Sequence, residues 1–243
     1  MSGPLVLLDA ALPAPGRGGF TSRAGGTSLP PYDGLDLALH VGDDPAAVAA
    51  NRALLSAALG GAPLVLAEQV HGNRVAVVTG PAGQAHAGVD ALVTATPGIA
   101  LVVLAADCLP VLLVDPVAGV AGAAHAGRQG LVAGVLQATV EAMAGLGATA
   151  ADTRAVLGPA ACGRCYEVPA AMADEVERAV PGSRGTTCQG TASVDLTAGA
   201  TRLLQGLGQV RAVGGCTVEQ QHCFSYRRDG RTGRHAGVVV LAP

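Results

Sequence analysis

GIALVVLAADCLPVLLVDPVAGVAGAAHAGRQG, residues 98–130, holds two apolar runs, each ending at a residue with metal-binding chemistry. The run 99–106 leads into Asp107, Cys108 and the breaker Pro110. The run 117–124 leads into His125 and the breaker Gly127, and further upstream the run 64–70 ends at His71, before Gly72. Apolar runs of this length, bounded by Gly or Pro, read as buried strands. Ends of neighbouring strands can converge on one rim of a sheet, where open α/β sheets bind ligands. Two imidazoles and one thiolate are ligands that Zn²⁺ takes, and three protein ligands leave a coordination position for water or substrate. The pattern predicts one catalytic metal site at His71, Cys108 and His125. The spacings, 108 − 71 = 37 and 125 − 108 = 17, match neither a zinc finger nor the zinc deaminase pattern. On spacing alone a structural role for each residue stays open, since buried cysteine is common.

Working outward, Asp44 is a natural N-cap, Pro45 fits a first turn and Gly60 follows the last apolar position, which predicts a helix between them. Further helices are predicted over 131–146, closed by Gly147, over 169–180, and over 195–207, capped by Asp195. Strands are predicted over 154–157 and 236–242. Residues 13–36, rich in Gly and Pro, read as an ordered loop with a short hairpin, anchored by Arg23 and Asp36. Strands and helices without strict alternation favour an α+β fold, a layered α/β sandwich with a mixed sheet, over a doubly wound one. The length of 243 residues suits a single domain over 1–243 with a sizeable core.

Composition narrows the function classes. A net charge of −3 without any basic block argues against a nucleic-acid surface. The longest apolar stretch, 99–114, is interrupted by Asp107 and Pro110 and is too short to span a bilayer. MSGPLVLLDA at the N-terminus lacks a basic n-region, so a cytoplasmic protein with reduced thiols is expected, and the six cysteines are not read as three disulfides. All 15 cationic side chains are arginines, which excludes a Schiff-base lysine and a P-loop lysine. Six histidines without an H-x-H pair do not suit multicopper chemistry. A single His₂Cys copper would only carry electrons, so copper is not the expected metal.

Two further constellations stand out. Cys162 and Cys165 form a C-x-x-C pair in CGRC. It could be half a zinc knuckle or a redox couple. A second half built from Cys216 and Cys223 has the wrong spacing, and an apparent strand, 165–168, follows where a thioredoxin-like motif needs a helix. A structural role, dispensable for catalysis, is expected. Arg227, Arg228, Arg231 and Arg234 read either as a solvated hairpin turning at Asp229-Gly230 or as an anion clamp. In strand alternation Arg227 and Arg228 face opposite ways, so one of them at most faces a site. Arg23 is a second candidate.

The strings EQVHGNRV (68–75), DALV (90–93), ADCLPVLLVD (106–115), AAHAGRQGLVAGV (123–135), LGPAACGRCYEV (157–168) and CTVEQQHCFSYRRDGRTGRHAGVVVL (216–241) occur in this order. With SRAGGTS and YDGLDLALHVGDDPAAVAANR upstream, they closely resemble the bacterial laccase-domain family, also called polyphenol oxidase or peptidoglycan-editing-factor proteins. The resemblance covers nearly the whole chain. It implies one zinc on His71, Cys108 and His125, and a layered α/β fold similar to the catalytic domain of a cytotoxic necrotising toxin. It also implies phosphorolysis of adenosine, inosine, guanosine and methylthioadenosine, with adenosine deamination. The chain departs from the common pattern in two places: Arg128-Gln129 stands where many members have Trp and then Arg, and Asp36 where many have Asn. Both departures bear on substrate specificity.

The partners this implies are purine nucleosides and inorganic phosphate, without nucleic acid or membrane, for a monomer or weak homodimer. Zinc-bound hydroxide would attack C6 of adenine, or phosphate would attack the ribose C1′. Asp107 is the candidate for proton handling, or else holds a ligand histidine in its tautomer. Arg23 joins it as a catalytic candidate, with Arg227, Arg228 and Asp36 as substrate-binding candidates. Rival readings are a metal-independent cysteine hydrolase using Cys108 with His71 or His125 as base, a peptidoglycan-precursor editing factor, and an interaction module with a closed four-ligand site that adds another cysteine or His222.

Overall fold

The computed structural model describes residue 5 and residues 7–81 and 85–242. Of the N-terminal segment read above for a leader, residues 1–4 and 6 lie outside the described residues. In chain order the first strands are β1 (Leu7–Asp9), β2 (Gly16–Thr21), β3 (Leu64–Glu68), β4 (Val75–Val77), β5 (His86–Ala87), β6 (Ala91–Thr94) and β7 (Ala100–Ala105). Then come β8 (Leu109–Asp115), β9 (Val120–Ala126), β10 (Arg154–Leu157), β11 (Arg184–Thr186), β12 (Ala192–Val194), β13 (Gln209–Ala212) and β14 (His235–Leu241). The helices are α1 (Pro45–Ala58), α2 (Arg128–Val132), α3 (Val135–Ala144), α4 (Ala170–Ala179), α5 (Leu196–Leu203) and α6 (Tyr226–Asp229).

Two mixed six-stranded sheets lie face to face, in the orders β1-β2-β14-β7-β3-β5 and β13-β10-β8-β9-β6-β4. Period-2 alternation builds the layers. Along β7, Leu101 and Val103 enter the core between the sheets, and Ala100, Val102 and Leu104 face outward to Leu55 and Leu59 of the α1 segment. Along β8, Leu112 and Val114 join the inter-sheet core, and Leu109, Val111 and Leu113 pack with residues of α2 to α5. Both faces of each central strand are buried, which is why these strands read as unbroken apolar runs. The result is the expected α+β layered arrangement, helix over sheet over sheet over helices.

The crossover between the sheets positions the site. β7 belongs to one sheet and β8 to the other, so the chain changes sheet at Ala106-Asp107-Cys108. Asp107 has φ 91 there, a conformation few L-residues adopt. The expected breaker Pro110 is inside β8, opposite His125. It has no N–H to give to the ladder, and its carbonyl accepts from Gly158 N–H.

Helix α1 follows its caps: Asp44 accepts the N–H of Ala46 and Pro45 opens the helix. β10 has the expected bounds, α4 and α5 lie within their predicted spans, and Asp195 caps α5. The helix expected over 131–146 is two, α2 and α3, because Gly134 breaks it with φ 88. β2 was hidden inside an apparent loop. Its glycines are required because a Cβ on Gly18 would meet Val238 O, and one on Gly19 would meet Leu8 O. The strand expected over 165–168 is a turn and a single bridge at Glu167. The hairpin expected around Asp229-Gly230 is helix α6, capped by the Ser225 hydroxyl.

Candidate metal centre

His71, Cys108 and His125 come together, with one ligand atom from each within 4.8 Å of the others. Each reaches the rim differently. His71 stands in the loop after β3 with φ 61, Cys108 ends the sheet-to-sheet crossover, and His125 is the penultimate residue of β9. Cys108 Sγ lies 3.7 Å from His71 Nε2, and the two imidazoles meet edge to face at 4.8 Å between centroids.

Asp90, just before β6, organises two of the three. It is fully buried, and its carboxylate accepts backbone N–H groups from Val70, His71 and Gly72 as well as His125 Nδ1 at 2.9 Å. These bonds fix the His71 turn and commit His125 Nδ1, leaving Nε2 as its ligand atom. Asp107 had been offered for this role. Its carboxylate instead accepts the Thr217 hydroxyl and the Arg227 N–H, both at 2.6 Å, so it holds the crossover and α6.

Gly127 completes the cradle. A Cβ there would lie 2.7 Å from His71 Cδ2 and 3.1 Å from Cys108 Sγ. Burial alone would raise the Cys108 thiol, but His125 and His71 outweigh it and bring the pKa down to about 6. Burial disfavours a charged His125, yet the Cys108 thiolate and Asp90 draw its pKa up. The field that holds a proton on His125 equally favours a divalent cation among these donors. The donor set, two imidazoles and a thiolate, is one that zinc takes.

Beside Cys108 lies a cavity of about 420 Å³ lined by Asp107, Tyr166, Leu196, Tyr226 and Arg227. The Arg227 guanidinium stacks 4.6 Å over the Tyr166 ring. Burial and the Cys108 thiolate hold the Tyr166 phenol above its usual pKa, against Arg128 and Arg227. Asp90, Tyr166 and Tyr226 were not singled out from sequence as site residues, Gly127 was read only as a breaker, and Arg128 only as a departure that bears on specificity. Asp90, Tyr166 and Tyr226 lie in strings quoted above, but nothing in spacing separates them from core or surface residues.

The remaining expected residues lie elsewhere. Arg228 turns inward and donates to the carbonyls of Thr217, Gln220 and Cys223, so it staples α6 to the preceding turn and does not face the cavity. Arg23 is bound to Asp33 at 2.7 Å and lines a separate cavity with Ser28 and Gln221. Asp36, expected as a substrate contact, has no exposed surface. It accepts N–H groups from Ala38 and Arg234, and burial pushes its carboxyl up to about 6. His222 and Cys223 do not join the metal donors. Among the described residues no helix is long and apolar enough to cross a membrane.

The chain and its fold are similar to those of known proteins. A family model described as multi-copper polyphenol oxidoreductase laccase matches residues 17–242. A Mycobacterium tuberculosis protein named purine nucleoside phosphorylase is 55% identical over 225 residues, covering 91% of this chain and 90% of its own. One of the same name from Streptomyces griseus is 56% identical over 228 residues, covering 91% and 93%. Among solved structures, a Neisseria meningitidis protein of the DUF152 family superposes with TM-score 0.87 at 35% identity, covering 99% of this chain and 100% of that one. YlmD from Geobacillus stearothermophilus gives 0.87 at 31%, covering 95% and 93%.

Proposed function

The chain belongs to the family described as multi-copper polyphenol oxidoreductase laccase, and on that premise we propose that it is a zinc-dependent purine nucleoside phosphorylase. Its substrates in this reading are adenosine, inosine, guanosine and methylthioadenosine, with adenosine deamination as a second activity. One observation carries the reading: the His₂Cys donor set adjoins a cavity of about 420 Å³ that ends at an arginine, in a chain more than half identical to proteins named for this activity. Such a volume suits a nucleoside-sized ligand. The family description speaks of several coppers, but among the described residues only one donor cluster contains histidine.

His71, Cys108 and His125 would hold the zinc, which when bound supplies Lewis-acid orientation of the anion. Arg227 offers paired donors to a phosphate oxygen in a chain without lysine. Asp107 keeps Arg227 in place through its backbone N–H. The exposed face of Tyr226 and the ring of Tyr166 offer surfaces for the base. A phosphate oxygen bonds to the ribose C1′ as the bond from C1′ to the purine nitrogen breaks. The Tyr166 phenol lines the cavity and would be the proton donor to the departing purine.

A second reading draws on the Cys108–His125 pair, whose thiolate and imidazolium would serve a cysteine hydrolase. The purified protein is assayed with adenosine, with and without phosphate, and adenine, inosine and hypoxanthine are separated. Adenine that appears only with phosphate supports phosphorolysis, and inosine formed without phosphate supports deamination. No turnover of any purine nucleoside by zinc-loaded protein overturns the proposal. Thiol-dependent hydrolysis that survives complete chelation supports the second reading.

A further inference from the structure

The C-x-x-C pair meets a partner that its sequence spacing did not reveal. Cys162, Cys165, Cys216 and Glu219 each offer a ligand atom within 4.8 Å of the others. The second half is not Cys216 with Cys223 but Cys216-Thr217-Val218-Glu219, a C-x-x-E with the same spacing as Cys162-Gly163-Arg164-Cys165. Both halves are reverse turns. Cys165 N–H returns to Cys162 O, and Gln220 N–H returns to Cys216 O. The two turns are docked on one another by the parallel bridge Ala160–Cys216 and by Cys162 N–H, which points at Cys216 Sγ at 3.4 Å. Cys165 Sγ lies 3.6 Å from Glu219 Oε1.

We propose that these two turns form a second metal site, a Cys₃Glu zinc knuckle separate from the His71–Cys108–His125 centre. Zinc–sulfur bonds of about 2.3 Å arranged tetrahedrally set neighbouring sulfurs about 3.8 Å apart, so little closing of the present cluster is needed. Cys216 is buried, Cys162 and Cys165 are half-buried and Glu219 is exposed, on the wall of an open cavity of about 730 Å³ that gives an ion access. Arg164 Nη2 donates to both oxygens of Glu219, at 3.1 and 3.4 Å, which keeps the carboxylate at the cluster and offsets part of the charge of three thiolates. This site has four protein ligands and no need of an open position, which makes it structural. What it would brace is specific. Ala161 N–H donates to Asp107 O and the Thr217 hydroxyl to Asp107 Oδ1, so each turn grips the residue before Cys108.

The proposal is independent of the proposed reaction, and its test reads metal, not turnover. The full chain is purified under reducing conditions, saturated with Zn²⁺, desalted and analysed for metal per chain. The expected result is two zinc ions in the parent and one in Cys108→Ala. One is also expected in Cys162→Ser combined with Cys165→Ser, and none when all three changes are combined. Co²⁺ loaded into Cys108→Ala should show the strong thiolate-to-metal absorption of a three-sulfur site. Because the serine variants remove half-buried thiols, Glu219→Cys is the second probe. It changes an exposed residue and should slow zinc loss to a chelator by tenfold or more. One zinc in the parent with none in Cys108→Ala overturns the proposal. So does a second zinc that survives loss of both Cys162 and Cys165, or zinc loss unchanged in Glu219→Cys.

Discussion

Gly127→Ala separates metal binding from folding. Gly127 has φ −70 and ψ 166, which any residue adopts, so the backbone carries no penalty. The methyl group would stand 2.7 Å from His71 Cδ2 and 3.1 Å from Cys108 Sγ. Carbon atoms in contact sit about 3.5 Å apart or more, so the imidazole must retreat by about 0.8 Å. Metal–ligand distances tolerate only about 0.2 Å. The His71 ring is on an exposed loop and can swing away at little cost to the core. We expect Zn²⁺ affinity at this centre to fall by about 10- to 100-fold, or roughly 1.4–2.7 kcal/mol. Stability measured in chelator should change by about 0.5 kcal/mol or less. Competition against a chromophoric chelator gives the first quantity and urea unfolding the second. Parent-like zinc affinity in Gly127→Ala, or a loss of zinc that only accompanies unfolding, would refute the cradle geometry.

Asp90→Asn should weaken zinc at the same centre by about 10- to 100-fold, because an amide cannot accept the four N–H groups that now converge on the carboxylate; isothermal titration checks this. Arg227→Ala should raise the phosphate KM by roughly 10- to 150-fold, the equivalent of one charge-assisted contact of about 1.5–3 kcal/mol, whereas Arg23→Ala should leave it near the parent value. Arg228→Ala should lower the melting temperature without a specific phosphate effect, since its guanidinium serves carbonyls of its own loop. Burial holds His235 down from 6.5 to about 4, so the unfolded chain takes up this proton before the folded one does. The stabilisation is complete above pH 6.5 and is lost as pH falls through about 4, a change of about 3 kcal/mol, and His235→Leu should flatten that part of the stability profile.

The layers were legible because burial on both faces writes central strands as long apolar runs, and because Asp44, Pro45 and Asp195 are caps with a direct physical signature. β2 was not legible. Its glycines, which read as a loop, are what let it lie between β1 and β14. The three candidate metal donors were picked out by their places at the ends of apolar runs, and the fold brings them together. Asp90 was not, because its role depends on four hydrogen bonds from two other segments, 70–72 and His125, and only the fold assembles those. Arg227 and Arg228 were correctly opposed but for the wrong reason, since a one-turn helix, not strand alternation, separates them. Glu219 was missed because a carboxylate with cysteine partners carries no mark in the sequence until two turns dock.

The central claim is that the His71–Cys108–His125 metal drives phosphorolysis, and reconstitution tests it most directly. Inosine phosphorolysis is followed while chelator-stripped protein is titrated with Zn²⁺, in the Cys162→Ser, Cys165→Ser background so that only one site is counted. The account predicts that hypoxanthine formation rises in proportion to zinc, saturates at one ion per chain, and is absent from Cys108→Ala at every zinc concentration. Full phosphorolysis by the stripped protein, or by Cys108→Ala, would contradict it.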